Sequence, residues 1–200
     1  WADITDVTVE SLDEGLQVDV RLTAEGRKGP AKARARSMEG RSSCGLCGVT
    51  RLAQAVRPLS SLAEGAVFSR AAIEAALDAL EQEQALGRLT RAMHAAAFAD
   101  TTGALSLVRE DVGRHNALDK LIGGAARSGL DPTTGFVVVT SRCSYEMVEK
   151  AAVAGFPLMV AISAPTALAI RKAEECGMTL VALARADGCA VFTRPERIVP

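Results

Sequence analysis

Three compact apolar runs in the second half of the chain constrain its fold most: Phe136–Thr140, Leu158–Ile162 and Thr179–Ala184. Each is short and without polar alternation, the pattern of a strand buried on both faces. Between them lie Ser144–Ala154 and Pro165–Cys176, helical in pattern and closed by Gly155 and Gly177. Strand, helix, strand, helix, strand requires crossovers, and so a largely parallel sheet with helices on both faces. Upstream, Ser69 is placed to cap a helix carrying Ile73, Leu77 and Leu80, with Gly87 as its stop. Met93–Phe98 and Leu105–Val108 read as strands joined by the turn Asp100-Thr101-Thr102-Gly103, and Val112–Ile122 as a helix. This order predicts a cytidine-deaminase-like three-layer α/β/α domain with a mixed, largely parallel sheet over residues 61–200.

Residues 1–60 read as a separate, small α+β domain. Leu16, Val18, Val20 and Leu22 alternate with Gln17, Asp19 and Arg21, the period of a half-buried strand. Ile4–Val9 is its expected hairpin partner across Asp13-Glu14-Gly15. Val49, Leu52, Ala53 and Val56 predict a short helix before Pro58, and Leu59–Gly65 a linker. With Trp1 at its start, this front domain is expected to be N-terminally incomplete.

At the end of the front domain stands Ser42-Ser43-Cys44-Gly45-Leu46-Cys47-Gly48. Two residues between cysteines let both sulfurs reach one atom, or each other. The spacing serves disulfide exchange, metal ligation or sulfur relay, and alone does not choose among them. Arg27, Lys28, Lys32, Arg34, Arg36 and Arg41, against the single acid Glu39, give the preceding segment a net +5 in a chain that is −1 overall. Nearby positive charge favours thiolate, the nucleophilic form. The same strip is expected to dock an acidic partner or phosphates; a near-neutral chain argues against nucleic acid.

The five cysteines are the close pair plus Cys143, Cys176 and Cys189, an odd and scattered set that suits a reducing cytoplasm better than a disulfide framework. A structural zinc needs four ligands, and no second C-x-x-C or H-x-x-x-H supplies the other half, so no structural metal is expected. No apolar run approaches the ~20 residues of a membrane span.

In such sheets ligands sit beyond the carboxyl ends of the strands. Those ends carry Glu110-Asp111-Val112-Gly113-Arg114-His115-Asn116, Thr140-Ser141-Arg142-Cys143-Ser144 and Ser163-Ala164-Pro165-Thr166. Each leads into a helix, so free N–H groups converge, and Arg114 and Arg142 add fork-shaped donors suited to phosphate. Taken singly, Ser144 and Ser163 are helix caps and Asp111 a first-turn acid; together the three ends make a site. A zinc deaminase has this element order too, but its chemistry needs a glutamate two residues after the histidine and a P-C-x-x-C. His115-Asn116-Ala117 and Arg142-Cys143-Ser144-Tyr145-Glu146 supply neither.

Ser42–Gly48 and Glu110-Asp111-Val112-Gly113-Arg114-His115-Asn116-Ala117-Leu118-Asp119-Lys120 resemble the formate dehydrogenase accessory sulfurtransferases, the FdhD family. Ser144-Tyr145-Glu146-Met147-Val148, Ser163-Ala164-Pro165-Thr166 and Pro195-Glu196-Arg197-Ile198 do too, so the resemblance covers essentially the whole chain. It departs at Thr90-Arg91-Ala92, before His94, where the family often has glycines, and at Asp187-Gly188, where it often has Gly-Arg. The resemblance implies a cytoplasmic carrier, often a homodimer. Such a carrier takes sulfane sulfur from a cysteine desulfurase and passes it to the bis form of molybdopterin guanine dinucleotide in formate dehydrogenase. It assigns the persulfide to Cys44, with Cys47 assisting. It also implies that Leu183, Ala184, Arg185, Ala186, Asp187 and Gly188 wall a cofactor site faced by Arg114, His115 and Arg142. The alternative is a non-catalytic cofactor chaperone or thiol–disulfide partner, in which the two thiols only cycle as a disulfide.

Overall fold

The computed structural model describes residues 2–12, 15–25, 58–63, 67–185 and 188–200. The thiol pair Cys44 and Cys47, the basic segment Arg27–Arg41, the helix expected at Val49–Val56, and Ala186 and Asp187 lie outside the described residues. The chain divides into two units, Trp1–Arg41 and Ser42–Pro200.

In the first unit β1 (Ile4–Leu12) pairs antiparallel with β2 (Gly15–Leu22), as expected for the hairpin. Val7 stands opposite Val20 and Val9 opposite Val18. All four are exposed, Val9 by 61%, so the half-buried strand that the alternation predicts is instead an open ribbon. Among the described residues no second layer covers it, and a two-stranded ribbon cannot bury a face by itself.

The second unit is built on a six-stranded mixed sheet. Its strands are β4 (His94–Asp100), β5 (Leu105–Asp111), β6 (Gly135–Val139), β7 (Leu158–Ala161), β8 (Thr179–Arg185) and β9 (Gly188–Thr193), in the order β5-β4-β6-β7-β8-β9. β6, β7 and β8 pair parallel, while β4 runs antiparallel to both its neighbours and β9 antiparallel to β8. Thus β5 to β8 share one direction, and their carboxyl ends lie at one edge. A short β3 (Phe68–Ser69) and β10 (Ile198–Val199) pair parallel beside it.

Helices cover both faces because the strands are apolar on both. Ala96, Phe98, Val137, Val139, Met159, Ala161 and Leu180 pack in one core with α3 (Arg114–Ser128), α4 (Tyr145–Ala154) and α5 (Ala167–Cys176). The alternate residues Ala95, Ala97, Ala99, Phe136, Val138, Leu158 and Val160 pack with α1 (Arg70–Glu83) in a second core. Withdrawing apolar surface of this kind from water is favourable by about 25 cal/mol per Å². Among the described residues no helix is long and apolar enough to cross a membrane.

The structure departs from the sequence reading at three further places. α1 ends at Glu83, before Gly87, which lies inside a further short helix, α2 (Ala85–Thr90). That helix forms because Glu110 accepts hydrogen bonds from the N–H groups of Leu86 (2.9 Å) and Gly87 (2.7 Å), which satisfies its open end. α3 runs past Ile122 to Ser128, because Gly124 packs against Leu107 and Arg109 rather than breaking the helix. Leu59–Gly65 is not a bare linker either. Leu59 and Leu62 pack on the first core, and the Leu62 N–H donates to the Cys176 carbonyl at 2.8 Å.

Two glycines give a paired test. A Cβ on Gly135 would lie 2.1 Å from the Ala99 carbonyl oxygen, whereas one on Gly123, inside α3, would meet nothing within 4 Å. In chemical denaturation Gly135→Ala is expected to lose at least about 1–3 kcal/mol to overpacking. Gly123→Ala is expected to gain about 0.5–1 kcal/mol by restricting the unfolded chain. Equal effects would contradict this packing.

Candidate functional site at the strand ends

β4 is the strand that assembles the site. Because it runs against β5 and β6, its first residue, His94, lies opposite Asp111 at the end of β5. On its other side the Ala95 N–H donates to Thr140 Oγ1 at 2.9 Å, just beyond β6. Three chain segments are thereby drawn to one place.

Asp111 holds the turn into α3. One carboxylate oxygen accepts from the Gly113 N–H (2.9 Å) and Asn116 Nδ2 (3.2 Å), and the other pairs with Lys120 at 2.5 Å. Burial pushes its acidity the unfavourable way, but the Lys120, Gly113 and Asn116 hydrogen bonds outweigh this and hold the carboxyl below its usual range. Asp111 therefore positions the first turn of α3, where Arg114 and His115 stand.

His115 is only 2% exposed, and neither ring nitrogen has a hydrogen-bond partner among the described residues. Its pKa lies below 6.5, lowered first by burial and then by Arg114 and Lys150, against the opposing pull of Glu146 and Asp119. Across from it a Lys150–Asp119 ion pair ties α4 to α3. His94 is lowered likewise, by burial and then by Arg114 and Arg142. Both arginines thus act on one imidazole, and Arg142 itself is exposed.

The start of α4 adds two groups, one read in the sequence as a helix cap within the strand-end run and one given no role there. Ser144 occupies the N-cap position, yet its hydroxyl makes no capping bond and is buried without a partner. Glu146, in the first turn, buries an Oε2 that is also unpartnered. By contrast Thr166, not Ser163, caps α5, its Oγ1 accepting from the Ala169 N–H at 3.1 Å. Cys143 is fully buried, its Sγ 3.4 Å from Met159 Sδ. Burial, then Glu146, pushes its thiol up to about 12, so it stays protonated and unreactive.

Arg114, His115 and Arg142 are therefore brought together, joined by His94, Ser144 and Glu146. His94 appears in the sequence only as a departure point of the family pattern, and Glu146 only within Ser144–Val148. Their signal, a polar residue opening a strand or helix at the ligand edge, was present but common. Of the stretch Leu183–Gly188, the described residues Leu183, Ala184 and Arg185 end β8, two strands from β6 on the same edge. Leu183 breaks the alternation of β8 with φ +52 and donates its N–H to the Ser163 carbonyl at 3.4 Å. Leu183 and Arg185 are exposed, Ala184 is buried, and Gly188 comes close to the Arg70 guanidinium.

The fold is that of a mixed α/β protein, with a cluster of partly unpartnered polar residues at the carboxyl edge of its sheet. Its sequence matches the FdhD/NarQ family over residues 1–199, and the chain belongs to that family. It is 47% identical over 196 residues to the sulfur carrier protein FdhD of Xanthomonas euvesicatoria pv. vesicatoria, covering 98% of this chain and 69% of that protein. Against the sulfur carrier protein FdhD of Bordetella petrii the identity is 43% over 197 residues, with 98% and 70% covered. Among solved structures it is similar to that of a candidate formate dehydrogenase accessory protein from Desulfotalea psychrophila. That match has a TM-score of 0.73 and 26% identity, covering 98% of this chain and 71% of the other.

The buried neutral histidine makes stability depend on pH. Its folded pKa lies below its unfolded value, so the unfolded chain binds the proton more readily. Stability is then full above about pH 6.5 and is lost as the pH falls below it, with His94 adding in the same direction. Denaturation midpoints measured from pH 8 down to about pH 5 are expected to show this decline, and His115→Gln is expected to flatten it. An unaltered slope would place the acid sensitivity elsewhere.

Proposed function

We propose that this chain is a sulfur carrier that loads a persulfide on Cys44 and delivers the sulfur to bis-molybdopterin guanine dinucleotide for formate dehydrogenase. The observation that carries the reading is the whole-chain match to proteins named sulfur carrier protein FdhD, together with this chain's own Cys44-x-x-Cys47. The name of the solved relative supplies the formate dehydrogenase connection. The element order supports a cytidine-deaminase-like reading of the fold, with the thiols on residues 1–60, ahead of the cofactor site on residues 61–200.

The chemistry balances without an outside oxidant. The Cys44 thiolate attacks the outer sulfur of the desulfurase's cysteine persulfide; a new S–S bond forms and the desulfurase cysteine leaves as thiolate. On delivery, the Cys47 thiolate attacks the inner sulfur of the Cys44 persulfide. Hydrosulfide leaves for the cofactor, which is the substrate here, and a Cys44–Cys47 disulfide remains. The sulfur gains the two electrons that the thiol pair loses. The basic residues Arg27–Arg41 favour the thiolate and attract an acidic partner.

The cofactor's client site, in this reading, is the strand-end cluster of Arg114, His115 and Arg142 with Leu183–Gly188 as a wall. Its unpartnered buried polar atoms support a polar ligand there. A cytoplasmic homodimer working with a cysteine desulfurase and formate dehydrogenase completes the proposal.

Incubation with a desulfurase and cysteine, followed by intact mass, tests it. The expected product gains about 32 Da on Cys44, whereas simple disulfide cycling loses about 2 Da. Cys44→Ala is expected to abolish loading, and Cys47→Ala to load but fail to release. Undiminished label on Cys44→Ala would overturn the assignment.

A further inference from the structure

We propose that α2, with Val112 and the outer edge of β5, is a docking surface for an acidic protein partner, and that this partner is the client enzyme. This rests on the reading of the chain as a carrier for formate dehydrogenase, and adds the surface on which the client sits.

α2 (Ala85–Thr90) buries none of its residues. A short helix ordinarily persists because an apolar face packs against a neighbour. This one is held by polar bonds instead. The Glu110 carboxylate accepts from the Leu86 and Gly87 N–H groups, and Thr90 Oγ1 donates to the Leu86 carbonyl at 2.8 Å. The Arg91 N–H closes the last turn on the Gly87 carbonyl, also at 2.8 Å. Its leucines are left to solvent: Leu86 is 48% exposed and Leu89 82%. Val112, two residues beyond Glu110, is 62% exposed. Leu86 also joins Leu105, Leu107 and Val108, among charged neighbours, in lining an open groove of about 420 Å³ along β5, an edge strand of the sheet. A protruding leucine beside a partly apolar groove suits a protein surface, which can answer both shapes.

Charge selects the partner. Ala85–Met93 contains Arg88 and Arg91 and no acid. Both arginines are exposed, and neither side chain has an ion pair or hydrogen bond among the described residues. The charge of Glu110 is already taken up by the N–H groups at the start of α2. Arg91 ends the helix in the left-handed region, at φ +53, where a glycine would sit without strain. An arginine there bears backbone strain that no contact of its guanidinium offsets among the described residues; an acidic partner would offset it. A second copy is a poorer occupant, because a two-fold axis at Leu89 would set Arg88 and Arg91 against their own counterparts. Only three residues separate Arg91 from His94 at the start of β4, so a partner on α2 stands beside the strand-end cluster. That place fits the client, which receives what is held there, better than the desulfurase, whose sulfur goes to Cys44.

Binding of the whole chain to purified, cofactor-free formate dehydrogenase, measured by biolayer interferometry, tests this, with a cysteine desulfurase as the second probe. Leu89→Glu is expected to keep its melting temperature, since the side chain is exposed, and to bind formate dehydrogenase about tenfold or more weakly. Arg91→Gly removes the charge and the strain together. It is expected to melt no lower than wild type, yet to associate about three- to tenfold more slowly at low salt, with the difference closing as salt is raised. Loading of sulfur onto Cys44 by the desulfurase is expected to be unchanged in both variants. Unaltered affinity of folded Leu89→Glu for formate dehydrogenase overturns the inference. So does a loss confined to the desulfurase, or a wild-type dimer that Leu89→Glu converts to a monomer in light scattering, because either gives the surface to another occupant. If the wild type does not bind formate dehydrogenase, the inference falls together with the client named in the proposed function. If it binds through α2 while Cys44 fails to load, the carrier reading falls and the docking surface stands.

Discussion

The structure of the second unit depends on how closely β4 can be packed. Ala95, Ala96, Ala97 and Ala99 are all buried, and with Phe98 they put this strand, next to the edge strand β5, in contact with both helical layers. Gly135 faces Ala99 so closely that a methyl group would strike its carbonyl. The antiparallel course of this strand is what puts His94 at the carboxyl edge, between the ends of β5 and β6. A parallel strand there would have delivered its last residue instead. The polar cluster is thus a consequence of strand direction, on a strand packed closely on both faces.

The same edge is where stability is given up. Asp111, Glu110 and Thr166 all have their hydrogen bonds met and fix helix starts in place. Beside them His115, Ser144 and Glu146 keep polar atoms buried and unmet. Folded chains seldom keep such groups unless something else satisfies them. The contrast between satisfied anchors and unsatisfied neighbours, close along the chain, is the observation that supports the proposed ligand site. It separates roles that look alike in the sequence: Asp111 and Glu146 are both acids at a helix start, but only one has its hydrogen bonds met.

Much of this was legible beforehand. β6, β7 and β8 were readable because a strand buried on both faces has no polar alternation to confuse it. β4 was harder: its alanines favour helix by local propensity, and the sheet overrode them. Glu110 stood in the strand-end run without a role, because its capping of α2 joins residues 23 and 24 positions apart, which no local pattern reveals. Ser144 read as a cap for the opposite reason, since its position is right and only its geometry shows the cap bond unmade. The linker misread at Leu59–Leu62 was of the same kind, as the anchoring partner, Cys176, lies far along the chain. Arg114, His115 and Arg142 were recoverable because each follows a strand end, whereas Glu146 needed the burial of one oxygen to be seen.

The central claim is that the starts of α3 and α4 form one ligand site. Amide hydrogen exchange with and without saturating GDP tests it most directly, since protection reports the segments that the ligand orders or covers. The expected result is slowed exchange in the segments spanning Asp111–Ala117 and Thr140–Met147 together, with β1 and β2 unchanged. Protection confined to one of these helix starts, or appearing only outside both, would contradict the account.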